Sequence, residues 1–172
     1  MGNMNKDHMR YICSYDSPIG GMTMASDGEN LTALWFDGQK YFMRGAEDPE
    51  RKSLPVFSLC SDYLDVYFSG KEPSLAPPPL LLQGTDFQQM IWKILLSIPY
   101  GKTVTYGEIA KEAAEALGLK SMSAQAVGGA VGRNPVSIIV PCHRVLGSDG
   151  SLTGYAGGTD KKRYLLQLEG IL

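Results

Sequence analysis

The sequence predicts a two-part chain, an N-terminal α/β part followed by a mainly α C-terminal part that contains a helix-turn-helix. Three observations carry this reading. Apolar residues alternate over the first thirty-odd positions, a run of prolines interrupts the chain at 77–79, and two capping boxes open helically spaced runs beyond it. The N-terminal part is expected over 1–79 and the C-terminal part over 80–172.

Met22, Met24, Leu31, Ala33 and Trp35 are spaced by two around the turn signal Ser26-Asp27-Gly28, which is a β-hairpin pattern. A helix is expected over 59–68, closed by Ser69-Gly70. Pro77 to Pro79 can join neither a helix interior nor a central strand, so the segment APPP reads as a linker. After it Thr85 and Gln88 form a capping box, and Phe87, Met90, Ile91, Ile94, Leu95 and Ile98 recur at helical spacing until Pro99. Thr105 and Glu108 form a second box ahead of Ile109, Ala110, Ala113 and Leu117, and Gly118 ends that helix. A third helix over 123–131, joined to its predecessor by the tight turn GLKSMS, completes the outline of a helix-turn-helix. The segment SIIV at 137–140 reads as a short buried strand that stops at Pro141-Cys142. A last helix is expected over 160–169, with Thr159 as cap and Gly170 as terminator.

An apolar fraction of 44% and a charged fraction of 20% are those of an ordinary globular protein. No run approaches the roughly 20 apolar residues of a membrane span, and the polar start MGNMNKDHMR lacks a secretory core. Lys6 stands where myristoylation at Gly2 would require Ser or Thr. Three widely spaced cysteines without a CxxC pair point to a reducing, intracellular setting, and a cytoplasmic monomer is expected. The net charge of −2 weighs against a nucleic-acid partner, but it is split, −4 over residues 1–100 and +2 over 101–172. DNA, if bound, belongs to the C-terminal part.

Cys142 lies between Pro141 and His143, where the expected strand runs out, so rigid neighbours would hold its thiol at a cleft. A thiol needs a base to lose its proton near neutral pH. Histidine can take that proton directly or through a water, and a carboxylate such as Glu169 can fix the imidazole tautomer. Cys13 and Cys60 read as core filler, and His8 lies in a tail expected to be mobile. Gly128 and Gly129 would bare the backbone of the third helix, either for close helix packing, the plainer reading, or for approach to a sugar-phosphate surface. No zinc ligand set and no glycine-rich nucleotide fingerprint is evident, so no cofactor is expected.

From Pro141 the chain reads PCHRVLGSDGSLTGYAGGTDKKRYLLQLEG, and GTDFQQMIWKILLSIPYGKTVTYGEIA and GRNP precede it. Together with the looser SPIGGMTMASDGENLTALWF, these segments make the chain resemble the O6-alkylguanine-DNA alkyltransferases over nearly its whole length. The resemblance implies a ribonuclease-H-like N-terminal domain and single-turnover transfer of an alkyl group from O6 of guanine in duplex DNA to Cys142, and it leaves open whether O4 of thymine is a second alkyl donor. It implies that His143 is the water-linked base, Glu169 its orienting partner, Asn134 a brace between recognition helix and active site, and Tyr106 a donor beside the target nucleotide. Val145, Tyr155, Ala156 and Gly157 would line the base pocket. Gln125, Ala126, Gly128, Gly129 and Arg133 would meet the DNA. Read without the resemblance, Tyr106 is a helix-start aromatic packed on the core and Tyr155 a loop anchor. Arg144 suggests a phosphate contact by its position, whereas the resemblance gives it a structural role.

One position departs from the pattern. Many relatives carry an intercalating arginine where this chain has Gln125, which brings no charge and less bulk. Three rivals share parts of the pattern. A non-enzymatic binder of alkylated DNA would lack the acceptor cysteine, which is present here. A cysteine hydrolase would use the same triad but turn over repeatedly. A transcription factor would carry a fused regulatory module, for which the chain has no room.

Overall fold

The computed structural model describes residues 7–172, so Gly2 and Lys6, on which the lipidation argument turns, lie outside the described residues. By its contacts the chain forms two compact units, Met1–Gln83 with Pro135–Ser137, and Gly84–Asn134 with Ile138–Leu172.

In the first unit, β1 (Tyr11–Ser17), β2 (Gly20–Ser26) and β3 (Leu31–Phe36) form an antiparallel meander, and the two-residue β4 (Glu50–Arg51) pairs parallel to β1. The strand order is β3-β2-β1-β4. The expected hairpin is β2-β3, and its turn is set by the Asp27 carboxylate, which accepts the backbone N–H of Glu29 at 2.9 Å and of Asn30 at 2.8 Å. The alternating apolar sets fall on opposite faces. Ala33 pairs with Ala25, and Ala25 with Ile12, whereas Met24 pairs with Leu34 and Met22 with Phe36. The first face packs Met9, Ile12, Ala25, Ala33 and Trp35 together with Phe42 and Met43. Helix α1 (Pro55–Phe68) lies against the sheet and buries Val56, Phe57, Cys60, Leu64 and Tyr67. It begins four residues before the expected start, because Pro55 at the first turn has the φ a helix needs and no N–H to leave unpaired.

The open edge of β3 is covered within this unit by two short segments. Leu31 donates to the Pro79 carbonyl at 2.7 Å and accepts from Leu81 at 3.1 Å, and Leu34 donates to Pro135 at 2.9 Å and accepts from Ser137 at 2.9 Å. Residues just past the prolines therefore remain with the first unit. His8, expected in a mobile tail, is instead buried, with Asp27 as a charged neighbour. Cys60 is core filler as expected, and burial pushes its thiol up to about 12. Cys13 is only half-buried on β1.

The second unit contains α2 (Asp86–Leu96), β5 (Val104–Thr105), α3 (Tyr106–Leu117), α4 (Ala124–Gly132), β6 (Val145–Leu146) and α5 (Thr159–Leu168). Both capping boxes form. Thr85 and Gln88 exchange bonds of 3.1 Å, while Thr105 accepts from Glu108 at 3.1 Å and donates its own N–H to the Glu108 carboxylate at 2.8 Å. Gly118 ends α3 in the left-handed region at φ 67°. Ser123 caps α4 by accepting the N–H groups of Gln125 and Ala126. The Trp92 indole ties α2 to α4 by donating to the Ala130 carbonyl at 2.9 Å. No helix of the described residues is long and apolar enough to cross a membrane.

Two expectations need correction here. The segment 137–140 is a turn, because Ile138 has φ 71°, which an extended strand cannot contain. Thr159 is the first residue of α5 rather than its cap; Gly158 holds that position without a side-chain bond.

Candidate active site

The site of the second unit is assembled by a short parallel pairing that local periodicity does not announce. Val104 pairs with Val145 and Thr105 with Leu146, so the start of α3 lies beside the residues that follow the cysteine turn. Tyr106, the first residue of α3, and Val145, fully buried in β6, are brought to one place by this pairing.

Cys142, His143 and Arg144 form a single 3-10 turn and all three are buried. The turn is set from its N-terminal side. Pro141 has φ −83° and ψ 62°, and the Cys142 N–H donates to the Val140 carbonyl at 2.8 Å, which is an inverse γ-turn. The same carbonyl accepts the Asn134 side-chain amide at 2.8 Å. Asn134 also hydrogen-bonds the Cys142 sulfur. It thus braces both the carbonyl before the turn and the thiol within it.

His143 is fully buried, and its Nε2 lies 2.5 Å from Glu169 Oε2. Glu169 is buried, and its other oxygen accepts Arg144 Nε at 2.8 Å and the Gly101 N–H at 3.0 Å. Arg144 reaches no exposed phosphate position. It donates a second bond to the Ile98 carbonyl at 2.8 Å, and its guanidinium lies 5.7 Å from the Tyr100 ring centroid. Burial alone would raise the Glu169 carboxyl, but the bonds from His143 and Gly101 and the Arg144 charge hold it down to about 2. Burial pushes the His143 imidazole below its ordinary value, Glu169 opposes this, and Arg144 and Lys162 reinforce it.

Lys162 is the residue that sequence reasoning missed. It has no exposed surface, and its Nζ donates to the Val145 carbonyl at 2.5 Å and the Thr153 carbonyl at 3.3 Å. Burial lowers its ammonium to about 8, and the charge of Cys142 opposes that shift. Burial likewise pushes the Cys142 thiol up, while Asn134 and then Lys162 pull it down. Cys142 is only 6% exposed, so an ionised thiolate open to solvent is not the resting arrangement. A signal for Lys162 was present: positions 162, 165, 166 and 169 share one helical face, and Leu165 and Leu166 are buried with it.

Tyr106 is half-buried, and its hydroxyl donates to the Thr153 carbonyl at 3.2 Å. A side chain at Gly154, which has φ 87°, would place its Cβ 2.8 Å from that hydroxyl, so only glycine lets the loop pass so close. Tyr155, Ala156 and Gly157 are half-buried in the same loop, where Gly158 donates to the Tyr155 carbonyl at 3.0 Å. Gln125, Ala126 and Gly129 are exposed on α4, Gly128 is half-buried there, and Arg133 is exposed at its C-terminal end. Helix packing does not explain the glycine pair. A Cβ at Gly129 would meet nothing within 4 Å, and one at Gly128 would make ordinary contact with the Tyr106 ring at 3.9 Å. Among the described residues no three His, Cys, Asp or Glu side chains are grouped to hold a metal ion.

Residues 10–82 match the family model of the 6-O-methylguanine DNA methyltransferase, ribonuclease-like domain, and residues 86–171 match that of its DNA binding domain. The expected α/β first part of ribonuclease-H-like character and the mainly α second part agree with these descriptions. The methylated-DNA–protein-cysteine methyltransferase of Haemophilus influenzae is 44% identical over 165 residues, covering 94% of this chain and 87% of that protein. That of Mycobacterium tuberculosis is 48% identical over 166 residues, covering 94% and 92%. The crystal structure of Mycobacterium tuberculosis OGT in complex with DNA is similar with a TM-score of 0.77 at 46% identity, covering 92% of both chains. An O6-methylguanine DNA methyltransferase from Methanococcus jannaschii gives 0.64 at 29% identity, covering 94% of this chain and 93% of that one. With both halves matched and such identity along nearly its full length, the chain belongs to the 6-O-methylguanine DNA methyltransferase family.

Proposed function

We propose that this protein repairs DNA by moving an alkyl group from O6 of guanine to Cys142, once per molecule. The observation that carries the reading is the buried turn in which Cys142 adjoins His143, with Glu169 on the imidazole, Asn134 hydrogen-bonded to the sulfur and the Lys162 charge nearby. DNA is the partner, O6-alkylguanine the lesion, and the acting form a cytoplasmic monomer. Residues 80–172 carry the chemistry.

The lesion is inside a stacked duplex, so the base must be turned out, at an unstacking cost of a few kcal/mol that a mispaired alkylated base partly relieves. The bare α4 backbone at Gly128 and Gly129 suits close approach to the sugar-phosphate surface, with Ala126 and Arg133 beside it and the neutral Gln125 filling the emptied stack. Val145, Tyr155, Ala156 and Gly157 line the base pocket. His143 takes the Cys142 proton, and Lys162 stabilises the thiolate that results. The sulfur forms a bond to the alkyl carbon as the carbon–O6 bond breaks, and the electron pair passes to the guanine. Tyr106 stabilises that leaving group, and the proton lost by the thiol restores the neutral base. A thioether remains, which thiolate exchange cannot open.

The test is incubation with duplex containing O6-methylguanine, followed by intact mass and peptide mapping. One added methyl on Cys142, stopping at one per protein and absent from Cys142→Ser, is expected. Repeated turnover without retained carbon would instead identify a hydrolase, and bound DNA with no added carbon a non-enzymatic lesion binder.

A further inference from the structure

His143 stands among charges of both signs. The 3-10 turn supplies Cys142 and Arg144, α5 and its end supply Lys162 and Glu169, the segment 98–101 supplies Tyr100 against Arg144, and α3 supplies Tyr106 near Cys142. A carboxylate bonded only to an imidazole favours imidazolium. Here the carboxylate is divided. Glu169 Oε2 faces His143, while Oε1 accepts Arg144 Nε at 2.8 Å and the Gly101 N–H at 3.0 Å.

We propose that Arg144 is a positioning residue that occupies one half of the Glu169 carboxylate and thereby keeps His143 unprotonated, ready to receive the thiol proton. The inference rests on the alkyl-transfer reading above. A base that is already protonated at working pH cannot take a proton, and the undivided charge of Glu169 beside it would favour the protonated form of His143. Arg144 opposes this in two ways: it neutralises the carboxylate, and its own positive charge disfavours imidazolium nearby. Its geometry is fixed independently of His143. The bond to the Ile98 carbonyl at 2.8 Å and the Tyr100 ring hold the guanidinium from the other side, so its Nε is presented to Glu169 without help from the imidazole. Burial and Lys162 push His143 in the same direction, so Arg144 completes an arrangement in which orientation comes from Glu169 without excess basicity.

The experiment compares wild type, Arg144→Met and Arg144→Lys. Because the chain has only two histidines, His8 and His143, the ring nitrogens are resolved by nitrogen-15 NMR in a His8→Gln background. The methyl-transfer rate to each protein is measured across the same pH range. Arg144→Met is expected to move the His143 midpoint upward by about one pH unit or more, and the acid limb of the rate profile should rise with it. Arg144→Lys should return both toward wild type, since it restores the charge. If the midpoint stays or falls in Arg144→Met, or if the rate drops equally at every pH, Arg144 is only a structural tie and the inference is overturned. Should Arg144→Met not fold, Arg144→Gln keeps an amide donor for Glu169 without the charge and carries the same expectations. The two claims fail separately: wild type that gains no methyl sinks the alkyl-transfer reading, while the imidazole midpoint still judges Arg144.

Discussion

At Glu169 three donors converge on one buried carboxylate, and the direction of its shift fixes a pH dependence. A carboxyl lowered from 4.5 to about 2 contributes stability that is fully present above pH 4.5 and is lost as pH falls toward 2. Glu169→Gln should therefore cost about 2 kcal/mol at pH 7, with the gap to wild type closing in acid, as followed by urea unfolding at pH 7 and pH 3. Ile138 makes a second prediction at this scale. It is a buried β-branched residue at φ 71°, a conformation that costs about 1–2 kcal/mol for any residue except glycine. Glycine ordinarily destabilises relative to alanine, but here Ile138→Gly should be the more stable of the two by about 1 kcal/mol. Denaturant melts of both variants decide it, and alanine coming out ahead would show that the backbone relaxes there. Of the site residues, Cys142 and His143 were legible because they are neighbours in an unusual string. Lys162 was not, since one lysine in the run DKKR looks like its solvated neighbours until tertiary packing seals it.

Among the elements, α4 shows best what a sequence can and cannot say. Its length followed from the sequence to within a residue, although Ser123, expected as its first residue, is its cap; the reason for two adjacent glycines did not follow, because it depends on what is absent around them. With open space at Gly129, Gly129→Ala should raise stability by about 0.5–1 kcal/mol through helix propensity alone. The same change should weaken duplex binding, measured by fluorescence anisotropy beside a thermal melt. A loss of stability would restore the helix-packing explanation. Gln125→Ala belongs in the same series, and unchanged duplex affinity and repair rate would remove Gln125 from the emptied stack. The capping boxes of α2 and α3 were readable because each is a contact over three residues. The pairing of β5 with β6 was not, since two-residue strands some forty positions apart leave no periodic trace. The supposed strand at 137–140 failed for a related reason. A run of buried β-branched residues has the composition of a strand whatever its φ angles, and Ile138 shows that tertiary packing overrode that propensity.

Across the whole molecule, charge is the property most easily misread from the sequence. Residues 84–172 carry nine Lys and Arg, yet Arg144 and Lys162 are buried in the active site and face no phosphate. The remaining cations of these residues are Lys93, Lys102, Lys111, Lys120, Lys161, Arg133 and Arg163, and only some of them can meet phosphate. Binding should thus depend on salt only moderately, with a log–log slope of about −2 to −4. Titrations of unmodified duplex between low and physiological salt measure it, and a much steeper slope would mean that residues 7–83 add phosphate contacts of their own. The division into an α/β and a helical part was legible from the prolines and the change in hydrophobic period. What no local pattern could announce is that Pro135–Ser137 belongs to the first unit, where it lines the edge of β3. Severing the chain after Gln83 would consequently strip three residues from the piece that needs them as a border strand. A gene fragment ending there would encode a protein with a sticky flank, prone to self-association, whereas adding back a short peptide spanning 135–137 should cover the flank and restore solubility.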